Sequence, residues 1–242
     1  SGHGAEGGAG GEARDEGGCA DLPERERDVP GHDLGRQLGR SGAAAQAAAA
    51  AGTMGQAARP PLRRGDRPAR LPLSPAQQRM WILNQFDTAA ATYNLPLAVR
   101  LTGELDTSAL TAAVDDVIRR HESLRTTFPS DDGGPRQVVL PPTAVSLDLT
   151  PQPIEADHIA AAVLTLARDG FDVAAGVAIR SRLLRSAADD HTLVLVIHHI
   201  LADGVSMGPL ARDVMLAYNA RTEGLTPSWP ELPVQYVDFA LW

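Results

Sequence analysis

The chain contains no lysine: all 22 basic residues are arginine, set against 30 acidic residues for a formal net charge of −8. Lysine Schiff bases and lysine general bases are thereby excluded from its chemistry. Nothing physical favours forked guanidinium donors over an entire surface, so the bias reads as that of a GC-rich coding sequence. Cysteine is nearly absent too, and the single Cys19 excludes an intrachain disulfide framework. No apolar run approaches 18 residues and no charged-then-apolar leader is visible. Neither a membrane span nor a secretory signal is therefore expected, and a cytoplasmic protein is the default. Aromatic residues are scarce and unevenly placed: residues 1–70 have none, and all ten lie between Trp81 and Trp242.

What fills the aromatic-free part is glycine and alanine, including 15 of the 23 glycines. Such a segment buries too little apolar surface to offset chain entropy, so residues 1–58 are expected to be a disordered leader. Its GAAAQAAAAAG tract (42–52) has helix propensity but no apolar stripe to dock. Residues 59–72 are rich in proline and arginine and read as a stiff linker. Residues 73–242 are ample for a packed domain. The charges of residues 1–70 cancel, so the whole acidic excess sits on the remainder and disfavours nucleic acid and anionic membranes as partners.

Ser74 and Pro75 predict a helix over 74–86, with Ala76, Met80 and Leu83 as its apolar positions. Residues 95–105 alternate as a strand through Leu97, Val99 and Leu101. Asp106 is placed to cap a helix carrying Leu110, Val114, Val117, Ile118 and His121. Short strands are expected within 122–128 and 135–140, and a helix over 155–168 ending at Gly170. Residues 177–187 and 191–199 read as hairpin strands, and Ser206 as the cap of a helix through Leu210, Val214 and Ala217. The tail from Pro227 to Trp242 reads as a loop. This order of elements predicts a mixed α/β (α+β layered) domain.

The most informative stretch is LVLVIHHILADGVS (193–206). Leu193 to Ile197 show no alternation, so both faces of that strand should be buried. Two histidines follow, where a side chain can exchange a proton near neutral pH without lying open to bulk water. Successive strand residues face opposite ways, so His198 and His199 should diverge. A metal site from His198, His199 and Asp203 is disfavoured by that divergence and by the lack of a further ligand cluster nearby.

Four stretches together resemble the condensation domains of non-ribosomal peptide synthetases: SPAQQRMWIL (74–83), RHESLRTTF (120–128), HHILADGVS (198–206) and YVDFALW (236–242). They follow the family's order, and the third carries its HHxxxDG motif. The resemblance implies a chloramphenicol acetyltransferase-like lobe, a mixed sheet packed with helices, with the second lobe missing. It also implies peptide-bond formation in secondary-metabolite biosynthesis, between a carrier-bound donor thioester and an acceptor aminoacyl thioester. No cofactor is bound directly; phosphopantetheine arms of upstream and downstream carrier domains deliver the substrates. An adenylation domain of the same synthetase and the C-terminal lobe are the other implied partners.

Carried over residue by residue, His199 is the catalytic histidine, either base toward the amine or hydrogen-bond partner for the tetrahedral intermediate. His198 is structural, Asp203 anchors the loop, and Gly204 allows a tight turn clear of the arm. Arg125 is the candidate partner of Asp203, with an arginine of the missing lobe as competitor. Arg120, His121 and Glu122 read as structural, and Trp81 and Trp242 as packing residues. GHDL (31–34) has Asp33 where a carrier's serine would stand, so no carrier domain is assigned. The chain is expected to end inside a larger protein and to be inactive alone. An acyl-CoA-dependent acyltransferase of the same superfamily and a non-catalytic carrier-binding module are the alternative functions.

Overall fold

The structure, a computed structural model, describes residues 60–242. The leader and its alanine tract lie outside the described residues, as does the GHDL segment.

A four-stranded sheet of order β1-β8-β7-β6 forms the centre, from Asn94–Thr102 (β1), Pro151–Pro153 (β6), Ile179–Ala187 (β7) and Asp190–His198 (β8). β1, β8 and β7 are antiparallel and β6 joins β7 in parallel, so the sheet is mixed, as expected. Val99 faces Leu193 and Leu97 faces Leu195 across the first pair. Every residue of β8 after Asp190 is buried, which matches its unbroken apolar run. Val194, Val196 and Ile197 are 0–1% exposed. Such burial contributes about 1.5–3 kcal/mol per large aliphatic side chain relative to exposure.

Helices cover the sheet. α2 (Thr107–Arg120) and α4 (Met207–Thr222) pack side by side and meet the face carrying Leu97, Val99, Leu193 and Leu195 through Leu110, Leu210 and Val214. α3 (Ile159–Arg168) packs on β1 and β8. Asp106 caps α2 as its position predicts, accepting from the Ala109 N–H at 2.9 Å.

α1 (Pro75–Phe86) starts at the predicted serine, with a reciprocal capping box between Ser74 and Gln77. Its docked face differs from the expected one. Ala76 and Leu83 are exposed, as are Ile82 and Phe86, whereas Gln77 and Asn84 are 3% and 4% exposed. Asn84 donates to the Phe171 carbonyl and accepts from the Val173 N–H. Trp81 donates to the Phe128 carbonyl at 2.8 Å. Polar side chains that satisfy loop backbone thus seat this helix, and periodicity of apolar residues cannot reveal that.

After α2 comes a 3₁₀ turn (Glu122–Arg125), then β2 (Thr126–Thr127) paired with β5 (Val138–Val139), and a hairpin of β3 (Ser130–Asp131) and β4 (Gly134–Pro135). Gly134 has φ of 89°, the left-handed conformation that favours glycine. Gly170 has a different reason to be glycine. Its φ is ordinary, but a Cβ there would lie 2.1 Å from the Thr88 carbonyl oxygen, so it admits close backbone approach rather than capping α3. The tail is not all loop: α5 (Tyr236–Leu241) is set by a box between Gln235 and Asp238.

Residues 60–72 lie against the domain instead of leading away from it. Leu71 bridges to Gln137, whose side chain donates to the Pro72 carbonyl. Arg67 forks onto Asp238 at 3.1 and 3.3 Å and reaches Glu122 at 2.8 Å.

Candidate active site

β8 delivers the histidine pair. The His198 N–H donates to the Ala178 carbonyl, continuing the ladder, while the His199 N–H turns to the Tyr93 carbonyl at 2.8 Å. The chain then folds back, with the Leu201 N–H on the His198 carbonyl.

The two imidazoles go to opposite environments. His198 is 1% exposed and sits between Tyr93 and Phe171, at ring-centroid distances of 6.2 and 6.3 Å. Its Nδ1 accepts from the Ile200 N–H at 3.1 Å, which assigns the ring proton to Nε2. Burial, with a smaller effect of the neighbouring His199, pushes its pKa down to about 4, so it is a neutral packing and capping residue near pH 7. His199 is half-buried and lines a cavity of 260 Å³ with Gln77, Arg79, Met80, Asp203 and Tyr236. The cavity is walled by α1, the 199–206 loop and the start of α5.

Asp203 is exposed and secures the turn that launches α4. Its carboxylate accepts from the Ser206 N–H at 2.9 Å and the Ser206 hydroxyl at 2.6 Å, and these bonds hold its pKa below the usual carboxylate range. Ser206, the expected cap of α4, makes no capping bond with its own side chain. Asp203 supplies the anchoring oxygen instead.

Two further expectations change. Arg125 does not pair with Asp203. Its guanidinium donates to the Leu140 carbonyl and stands 3.9 Å from Glu122, because the 3₁₀ turn directs it toward β5 rather than toward the loop. Gly204 has no left-handed φ and a Cβ would meet nothing within 4 Å, so the turn itself does not demand glycine.

Around the site, Arg120 and His121 both meet the buried carboxylate of Asp213, at 3.0 and 2.9 Å, tying the end of α2 to α4. Arg120 also lies 4.7 Å from the Trp229 ring centroid. Tyr236 bonds the Ser74 hydroxyl at 2.9 Å, joining the first and fourth motifs beside the cavity. Sequence pattern does not single out Gln77, Arg79, Met80 or Tyr236 as lining residues; their signal is membership of motifs at helical spacing. Among the described residues no three His, Cys, Asp or Glu side chains gather as a metal site, and no helix is long and apolar enough to cross a membrane.

The described residues thus form a mixed sheet covered by helices, with a histidine leaving a buried central strand into a cavity. Residues 69–242 match the family model of the Condensation domain, and the chain belongs to that family. It is 49% identical over 187 residues to an isonitrile lipopeptide synthase of Mycobacterium tuberculosis, covering 75% of this chain and 7% of that protein. Against a dimodular nonribosomal peptide synthase of Bacillus subtilis the identity is 41% over 224 residues, 93% of this chain and 9% of that one. The fold is similar to the X-domain from teicoplanin biosynthesis (TM-score 0.71, 37% identity, 76% of this chain and 40% of that one). It is also similar to the starter condensation domain of rhizomide synthetase (TM-score 0.65, 22% identity, 72% of this chain and 43% of that one). The chain thus spans less than a tenth of these relatives and under half of these solved chains.

Proposed function

We propose that this chain supplies the histidine-bearing lobe of a condensation domain that joins a carrier-bound donor thioester to a carrier-bound aminoacyl thioester in secondary-metabolite biosynthesis. In this reading residues 73–242 are the lobe, residues 59–72 its entry segment and residues 1–58 a leader. The protein works in the cytoplasm beside carrier and adenylation domains, and the second lobe closes the opposite wall of the reaction channel.

The observation that carries this is the division of the histidine pair: His198 is consumed by packing, while His199 lines a cavity of 260 Å³. The acceptor amine attacks the donor carbonyl, a C–N bond forms, the C–S bond breaks, and the amine's proton passes to the departing thiolate. A free α-amine titrates near pH 8, so the nucleophile needs modest help. His199 is the group placed to hold or take that proton, and orientation of two tethered substrates supplies the rest. Asp203 keeps the loop in place from its own turn, and an arginine of the second lobe is its remaining candidate partner.

The likeness to an X-domain solved in complex with OxyB from teicoplanin biosynthesis, at 36% identity, favours a second reading in which the lobe only recruits a partner protein. The intact module loaded with both thioesters decides between them. Dipeptidyl thioester should accumulate on the acceptor carrier, and free acyl-CoA should not replace the loaded donor carrier. No product, or equal transfer from CoA, contradicts the proposal.

A further inference from the structure

Residues 60–72 hold both helical walls of the His199 cavity without lining it. On one side Arg67 forks onto Asp238 of α5, at 3.1 and 3.3 Å, and the same carboxylate accepts the Gln235 N–H at 2.7 Å. Six residues are too few for a helix to persist unaided, so these bonds set where α5 and its lining residue Tyr236 stand. On the other side Leu71 bridges to Gln137, whose side chain donates to the Pro72 carbonyl and accepts from Gln77 at 3.3 Å. Gln77 lines the cavity from α1. The two walls meet in the bond between the Tyr236 and Ser74 hydroxyls. Arg67 lies outside residues 69–242 that match the family model, so the cation that holds Asp238 comes from outside the matched domain.

We infer that Arg67 is a positioning residue for the His199 cavity: acting through Asp238, it fixes the wall that carries Tyr236 against the wall formed by α1. Its effect on the cavity follows from this geometry, and its consequence for rate rests on the proposed condensation reaction. The Asp238 side chain is only 1% exposed, so without its cation it is an uncompensated buried charge, and the short helix that it caps shifts as it finds new partners. His199 is held from elsewhere, by its backbone bond to Tyr93. Losing Arg67 therefore moves one wall relative to the histidine. A misplacement of about 1 Å, caused far from the chemistry, can slow a reaction by about 10²-fold.

Arg67→Gln and Arg67→Lys in the full chain are compared with wild type by NMR, at a temperature where each is folded. The ring resonances of His199 and Tyr236, neither of which bonds to Arg67, should move in Arg67→Gln. They should move less in Arg67→Lys, which keeps a cation for Asp238 without the fork. The ring of His191, at the opposite end of β8, should stay in place. A strap that contributes stability alone leaves the His199 and Tyr236 resonances where they were, and that result overturns the assignment. In the intact module on loaded carriers, Arg67→Gln should lower kcat by roughly 10–100-fold with a smaller effect on KM, and Arg67→Lys should recover most of the rate. A folded Arg67→Gln module with wild-type kcat also overturns it. If the wild-type module forms no product while the two resonances respond, the reaction falls and the positioning of the cavity wall by Arg67 stands.

Discussion

His198 shows how far one residue's surroundings can override its intrinsic chemistry. An unfolded chain titrates this imidazole near pH 6.5, whereas the folded protein holds it at about 4. Between those values the unfolded state binds more protons, so stability falls on acidification from pH 6.5 toward 4, by up to about 3 kcal/mol. His198→Asn keeps an acceptor for the Ile200 N–H and removes the titration. Urea unfolding across this range should therefore show a flatter pH dependence for the variant, and an unchanged slope contradicts the assigned cause. Asp203 presents the opposite case, an exposed carboxylate whose worth lies in two short bonds to Ser206. Asp203→Ala should cost about 1 kcal/mol, the size of a lost cap, and lower the unfolding midpoint by roughly 2–4 °C. Asp203→Asn, which retains an acceptor oxygen, should recover most of the loss in the same calorimetric comparison.

At the scale of elements, Arg67 joins three parts of the chain that the sequence places far apart. Its carboxylate partner Asp238 has a side chain only 1% exposed and also caps α5, while Glu122 lies in the 3₁₀ turn. Arg67→Ala leaves a buried carboxylate without its cation. Breaking a fully buried pair costs about 3–5 kcal/mol. Arg67 keeps some solvent contact, so a loss of roughly 2–3 kcal/mol is expected. Denaturant unfolding measures it, and a loss near zero would mean the strap is not part of the cooperative unit.

Elements with strong local signals are legible in the amino-acid pattern. Ser74 and Asp106 mark two helix starts, and the run 193–197 marks a strand buried on both faces. Elements defined by distant partners are not legible in this way. β6 consists of two prolines around a glutamine and exists because β7 lies beside it. α1 buries Gln77 and Asn84 because distant groups need their hydrogen bonds. The separation of His198 from His199 follows from strand alternation, whereas the expected Arg125–Asp203 pairing does not form. A motif fixes residue types, but not the direction a 3₁₀ turn gives a side chain.

At the scale of the molecule, the described residues set out a buried central sheet, a loop held by its own aspartate and a cavity with a histidine on its wall. The catalytic claim stands on the two histidines having divided their roles, one for packing and one for chemistry. The most direct measurement is dipeptide formation by the intact module carrying His199→Ala or His198→Asn, on loaded carriers and at a temperature where both variants are folded. His199→Ala should lower the rate by about 10²–10⁴, the usual range for a positioned acid–base group, and His198→Asn should leave it within a few-fold of wild type. Full activity in His199→Ala, with loss confined to folded His198→Asn, would contradict the account.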